Sequence, residues 1–204
     1  MENALRLSSI IPNEISTLEF RHNFGVIRVS EFTEDSAKAF SEEMREAHAS
    51  GQPVIPVIID SYGGQVDSLN SMISDIRHSE KPVATITVGK AMSCGAVLLS
   101  AGTLGYRYAD PLARIMIHEV ASGDYGKTAD LKVSTEETDA LNIRMLQMLA
   151  RNCNKRPDYF IKLMAKRKNT DWFMTADEAK SHGLVEKLFV PKLTREVKIE
   201  YTFG

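Results

Sequence analysis

The chain has 204 residues, 25 basic and 27 acidic, with a formal net charge of −2. That length allows one domain, or one domain plus an arm, and 43% hydrophobic against 25% charged residues excludes wholesale disorder. Near-neutral charge argues against nucleic-acid binding through bulk positive charge, two cysteines cannot make a disulfide scaffold or a four-Cys zinc site, and no apolar run is long enough to span a bilayer.

Met1-Glu2-Asn3 does not open a basic-then-apolar leader, so a secretory signal is not expected and a cytoplasmic protein is. Residues 1–18, interrupted by Pro12, read as an N-terminal arm, and 19–204 as a single domain. Gly25-Val26-Ile27-Arg28-Val29 reads as a strand. Thr33 can cap a following helix whose Ala37, Phe40, Met44 and Ala47 share one face. The apolar run from Val54 to Asp60 predicts a strand buried on both faces, with Pro56 marking an edge or bulge. Ser61-Tyr62-Gly63-Gly64 forms a turn into a helix carrying Val66, Leu69, Met72, Ile73 and Ile76 on one side. Val83–Val88 is a further buried strand, followed by a Gly-rich stretch and a helix from about Ser93. Arg114-Ile115-Met116-Ile117 is a strand running into His118. A long helix is expected over Thr128–Asn152 and a shorter one over Asp158–Lys166. Lys166-Arg167-Lys168 reads as a solvated loop. Thr175-Ala176-Asp177-Glu178 is a capping box, Gly183 a helix stop, and Leu184–Leu188 a last core strand. Alternating strands and helices define an α/β fold with mostly parallel pairing.

Five segments come into question for chemistry. Ser93 lies between a strand and a helix, where free N–H groups stabilise negative charge, although serine also serves there as a plain cap. Gly63-Gly64 can offer N–H groups to an anion or can be a simple tight turn. His118 ends a strand, the place where open parallel sheets put their sites, or is a hydrogen-bonded core histidine. His182 fits a helix C-terminal cap better than a base. Asp171, before Trp172-Phe173, is either a partnered acid or an ordinary loop aspartate.

Together these segments resemble the proteolytic subunit of the Clp protease, the ClpP family, from about Gly25 to Leu188. The serine stands 29 positions after the second glycine, and the histidine, in Met116-Ile117-His118, 25 positions after the serine. The acid precedes Phe173-Met174-Thr175-Ala176-Asp177-Glu178-Ala179 and Gly183-Leu184-Val185. The resemblance implies a serine endopeptidase with the triad Ser93, His118 and Asp171, and an oxyanion hole from the N–H groups of Gly64 and Cys94. Substrate would lie as a strand near Gly63 and Gly123, and no cofactor or metal is expected. It further implies a crotonase-like superhelix of ββα units with a protruding handle helix from Thr128, heptameric rings stacked in pairs, unfolded protein as substrate, and an AAA+ unfoldase of the ClpX, ClpA or ClpC type as partner. The alternative is a catalytically idle or regulatory subunit that co-assembles with another ClpP. The chain differs from relatives in carrying Glu119-Val120 after the base, Asn169-Thr170 before the acid, and Cys94 where methionine is common.

Overall fold

A computed structural model describes residues 25–192 except residues 122 and 124. The arm expected over residues 1–18 lies outside the described residues.

Twelve elements follow in chain order among the described residues: β1 (Ile27–Val29), α1 (Glu34–Ala49), β2 (Ile55–Ser61), α2 (Val66–Arg77), β3 (Val83–Met92), α3 (Cys94–Ser100), β4 (Arg107–Ala109), β5 (Arg114–Ile117), α4 (Thr128–Asn152), α5 (Tyr159–Lys166), β6 (Trp172–Thr175) and α6 (Ala176–His182). One mixed sheet runs β1-β2-β3-β5-β6, with β4 also on β3. All pairings are parallel except β5 with β6. The ten-residue β3 forks: Thr85–Thr87 pair with β4, and Lys90–Met92 pair with β5. The fork leaves β5 beside the end of β3 that leads into α3.

Local chemistry explains several of these boundaries. Thr33 accepts from the Ser36 N–H and Ser36 Oγ accepts from the Thr33 N–H, a reciprocal cap that starts α1. The buried face of α1 is Ala37, Phe40, Met44 and Ala47, as the helical period requires. Fully burying one such large side chain as Phe40 contributes about 2–3 kcal/mol. In β2, the Ile55 N–H donates to Pro82 O on the β3 side. The ring of Pro56 therefore occupies the opposite side, where β1 pairs only from Val57 onward, so no ladder bond is lost. The reciprocal cap of Thr175 and Glu178 starts α6, and Gly183 ends it in the left-handed region.

Some sequence-based expectations change. Leu184–Leu188 does not form a full strand: Leu184 and Val185 are buried, but the segment makes one bridge, Tyr108 with Lys187. What holds it is Arg107, whose Nη2 lies 2.6 Å from Glu186 Oε1 and whose Nη1 donates to Asn152 O at 2.8 Å. Glu186 Oε2 also accepts from the Gly105 N–H. The helix expected over Thr128–Asn152 forms as α4 but is buried only in its second half, at Met145, Leu146, Leu149 and Ala150, while Leu131 and Val133 are exposed.

Candidate active site

The turn after β2 is built for close approach. The buried Ser61 hydroxyl accepts from the Gly63 N–H at 3.0 Å, and the Gln65 N–H donates to Phe32 O at 2.8 Å. Gly63 and Gly64 have φ of 113° and 152°. A Cβ at Gly63 would stand 2.7 Å from Ser93 Cβ, and one at Gly64 would stand 2.6 Å from Phe32 O. The turn is thus wedged between β1's exit and the serine, and only glycine fits.

Ser93 joins β3 to α3 with φ 53° and ψ −120°, a conformation costly for a side-chain-bearing residue. Its N–H donates to Met116 O at 2.8 Å, so the β3–β5 pairing extends to the serine and fixes it. The side chain makes no cap hydrogen bond, which removes the plain-cap alternative. Instead Ser93 Oγ lies 2.8 Å from His118 Nε2. Cys94 opens α3, so its N–H has no intrahelical acceptor. Its Sγ donates to Gly64 O at 3.2 Å, tying the glycine turn to the start of α3. Burial raises the Cys94 thiol above its ordinary pKa, keeping it a neutral donor.

The antiparallel register of β5 and β6 brings the remaining pair together. Ile117 pairs with Trp172, so the next cross-strand positions are His118 and Asp171. Nδ1 of His118 is 3.8 Å from Asp171 Oδ1, outside hydrogen-bond range, and the Asp171 side chain is 56% exposed. His182 takes no part here. Its Nδ1 lies 2.8 Å from the Tyr159 hydroxyl and its ring packs edge-on against Trp172 at 4.8 Å, in place of the expected cap role. Gly123 is exposed, and a Cβ there would meet nothing within 4 Å.

A cleft of about 620 Å³ opens beside Ser93, His118 and Gly64. Val97, Ile117, Met145, Leu146 and Leu149 give it an apolar lining. Met145, Leu146 and Leu149 come from α4, whose sequence carries no motif that ties it to the site. Their helical spacing put them on one face, but nothing in it signalled that Ser93 lies across the gap. Among the described residues, no group of three or more His, Cys, Asp or Glu could hold a metal ion, and no helix is long and apolar enough to cross a membrane.

A serine at a strained strand–helix junction, within hydrogen-bond distance of a strand-end histidine and beside an apolar cleft, can act as an activated nucleophile. The Clp protease family model matches residues 17–192, and the chain belongs to that family. It is therefore ClpP-like, a member of a family of serine peptidases.

Proposed function

We propose that this chain is a serine endopeptidase of the ClpP type, with Ser93 as nucleophile, His118 as general base and Asp171 as the carboxylate that orients the base. The observation that carries the reading is the 2.8 Å separation of Ser93 Oγ and His118 Nε2. Oγ attacks the carbonyl carbon of a peptide bond as its proton passes to Nε2. The N–H groups of Gly64 and Cys94 receive the charge that develops on the carbonyl oxygen, and losing one such donor costs about 10²–10³ in rate. The imidazolium then protonates the amide nitrogen, the amine leaves, and the acyl group stays on Ser93. Water gives a proton to the same Nε2 as its oxygen attacks the acyl carbon; the bond to Oγ then breaks, Nε2 returns the proton to Oγ, and the acid leaves. Asp171, facing Nδ1, keeps the ring proton there and Nε2 open.

The apolar cleft suits an apolar side chain next to the scissile bond. An extended substrate would run past Gly63 and Gly123. Residues 19–204 would form one peptidase domain of the crotonase-like superhelix. Its rings would be heptameric and stacked in pairs, with the exposed first half of α4 as the handle between them. Unfolded protein would be the substrate and an AAA+ unfoldase the partner, in the cytoplasm. Family membership supports this architecture. One observation favours the second reading, an idle or regulatory subunit: the 3.8 Å gap between His118 and Asp171. Catalytic contacts often tighten only in the complex, so the gap is compatible with an active enzyme.

Fluorophosphonate labelling, with the adduct mapped by mass spectrometry, separates the two. The enzyme labels at Ser93, loses labelling in Ser93→Ala and His118→Ala, and keeps it in His182→Ala. An assembled protein that does not label refutes the enzyme and supports the idle subunit.

A further inference from the structure

We infer that Arg167 is a positioning residue for Asp171, holding the acid by anchoring the residues on both sides of it; this rests on the triad proposed above. Arg167 follows α5, and its N–H donates to Met164 O at 2.9 Å, so its backbone is fixed to the last helical turn. Lys168 and Asn169 then turn the chain with φ of 55° and 56°. The carbonyl of Arg167 accepts from both the N–H of Thr170, at 3.3 Å, and its hydroxyl, at 2.9 Å. The Arg167 guanidinium lies 4.1 Å from the centroid of the Trp172 ring. Thr170 and Trp172 flank Asp171, so one residue holds both neighbours of the acid.

The other face of this arrangement is rigid. Trp172 is buried, pairs with Ile117 in the sheet and packs against His182. Asp171 itself is half-exposed, with Oδ1 3.8 Å from His118 Nδ1. Its placement therefore depends on where Thr170 and Trp172 are held. Arg167 is exposed, so its side chain can be removed without opening the core.

The test uses the full chain and two readouts. The first is the rate of fluorophosphonate labelling at Ser93. The second is emission and iodide quenching of Trp172, the chain's only tryptophan. Arg167→Ala should slow labelling by roughly ten- to a hundredfold, the range expected when a catalytic group moves by up to an ångström. It should also change Trp172 emission and leave the thermal midpoint nearly unchanged. Arg167→Lys, which retains the cation without the planar fork, should recover part of both signals. Thr170→Val should slow labelling with little change in emission. In an Asp171→Asn background, Arg167→Ala should add no further loss, because the residue it positions is already gone.

Wild-type labelling in Arg167→Ala overturns the proposal. So does slower labelling with unaltered Trp172 emission, or a full further loss in the Asp171→Asn background. If Asp171→Asn itself labels like wild type, the role assigned to Asp171 fails and this inference fails with it. If Ser93 never labels, the proposed function fails, while Trp172 emission still decides whether Arg167 holds that ring.

Discussion

Replacing Gly63 with alanine places a methyl group against the nucleophile's own backbone. The new Cβ would lie 2.7 Å from Ser93 Cβ and 3.1 Å from Met92 O. Carbon atoms rest at about 3.5–4.0 Å, so one partner must retreat by about 1 Å. Gly63 is tied to Ser61 Oγ and Ser93 to Met116 O, which leaves little slack on either side. A shift of that size at a reacting group costs about 10²-fold in rate. The φ of 113° adds about 1–3 kcal/mol of backbone strain. Gly63→Ala should therefore slow fluorophosphonate labelling of Ser93 about a hundredfold and lower the thermal midpoint. Gly51→Ala is the control. Its φ is also positive, at 77°, but nothing lies within 4 Å of the new Cβ. It should cost stability and leave labelling alone. A Gly63→Ala protein that labels at the wild-type rate refutes the close apposition of turn and serine.

Three further outcomes test the surrounding structure. Burial pulls the Glu186 carboxyl up, but hydrogen bonds and charge from Arg107, with the Gly105 N–H, outweigh it and hold its pKa below the ordinary value of 4.5. Stability from this group is present above that value and is lost as pH falls through the folded one. Glu186→Ala, which leaves Arg107 unpaired, should cost about 2–3 kcal/mol in urea unfolding near neutral pH and flatten the acid limb; an unchanged midpoint would count against the clamp. Burial, then the charges of Lys155 and Arg167, lower the His182 pKa from 6.5. Its contribution is present above 6.5 and lost as pH falls through the folded value, so thermal midpoint and Trp172 emission should change together as pH falls below 6.5, and the emission change should be absent and the midpoint change smaller in His182→Gln. Burial pushes the Cys153 thiol up to about 12 and raises Cys94 as well. Neither thiol should react quickly with an aromatic disulfide at pH 8 in the folded protein, and both should in denaturant; a fast native thiol contradicts this burial.

The helices were legible because their apolar spacing is long enough to repeat. Ala37, Phe40, Met44 and Ala47 span three turns of α1, and the cap at Thr33 marks where they begin. Short strands offered no such repetition. β4 is three residues whose first, Arg107, is buried by an ion pair with a partner far along the chain. The sequence pattern ends β3 at Val88, before the Gly-rich stretch that starts at Gly89. In the fold that glycine makes room for the Asp60 carboxylate, 2.9 Å from where a Cβ would stand, and pairing continues to Met92. Ser93, His118 and Asp171 were nameable as candidates through family motifs. The backbone twist of Ser93 and the β6 strand that carries Trp172 were not, because positive φ and cross-strand register leave no local mark on residue type.

That register has a consequence for length variation. His118 and Asp171 are 53 positions apart, yet they meet because four residues of β6 pair with four of β5. Insertions or deletions in the connecting chain before α4 alter the path without altering the pairing, whereas between α5 and β6 they would displace the Arg167–Thr170 turn that leads into Asp171. A single residue added or removed within Trp172–Thr175 would instead turn the acid to the opposite face of the sheet. Homologous chains should accordingly tolerate indels freely in the connection before α4 and almost none across those four positions.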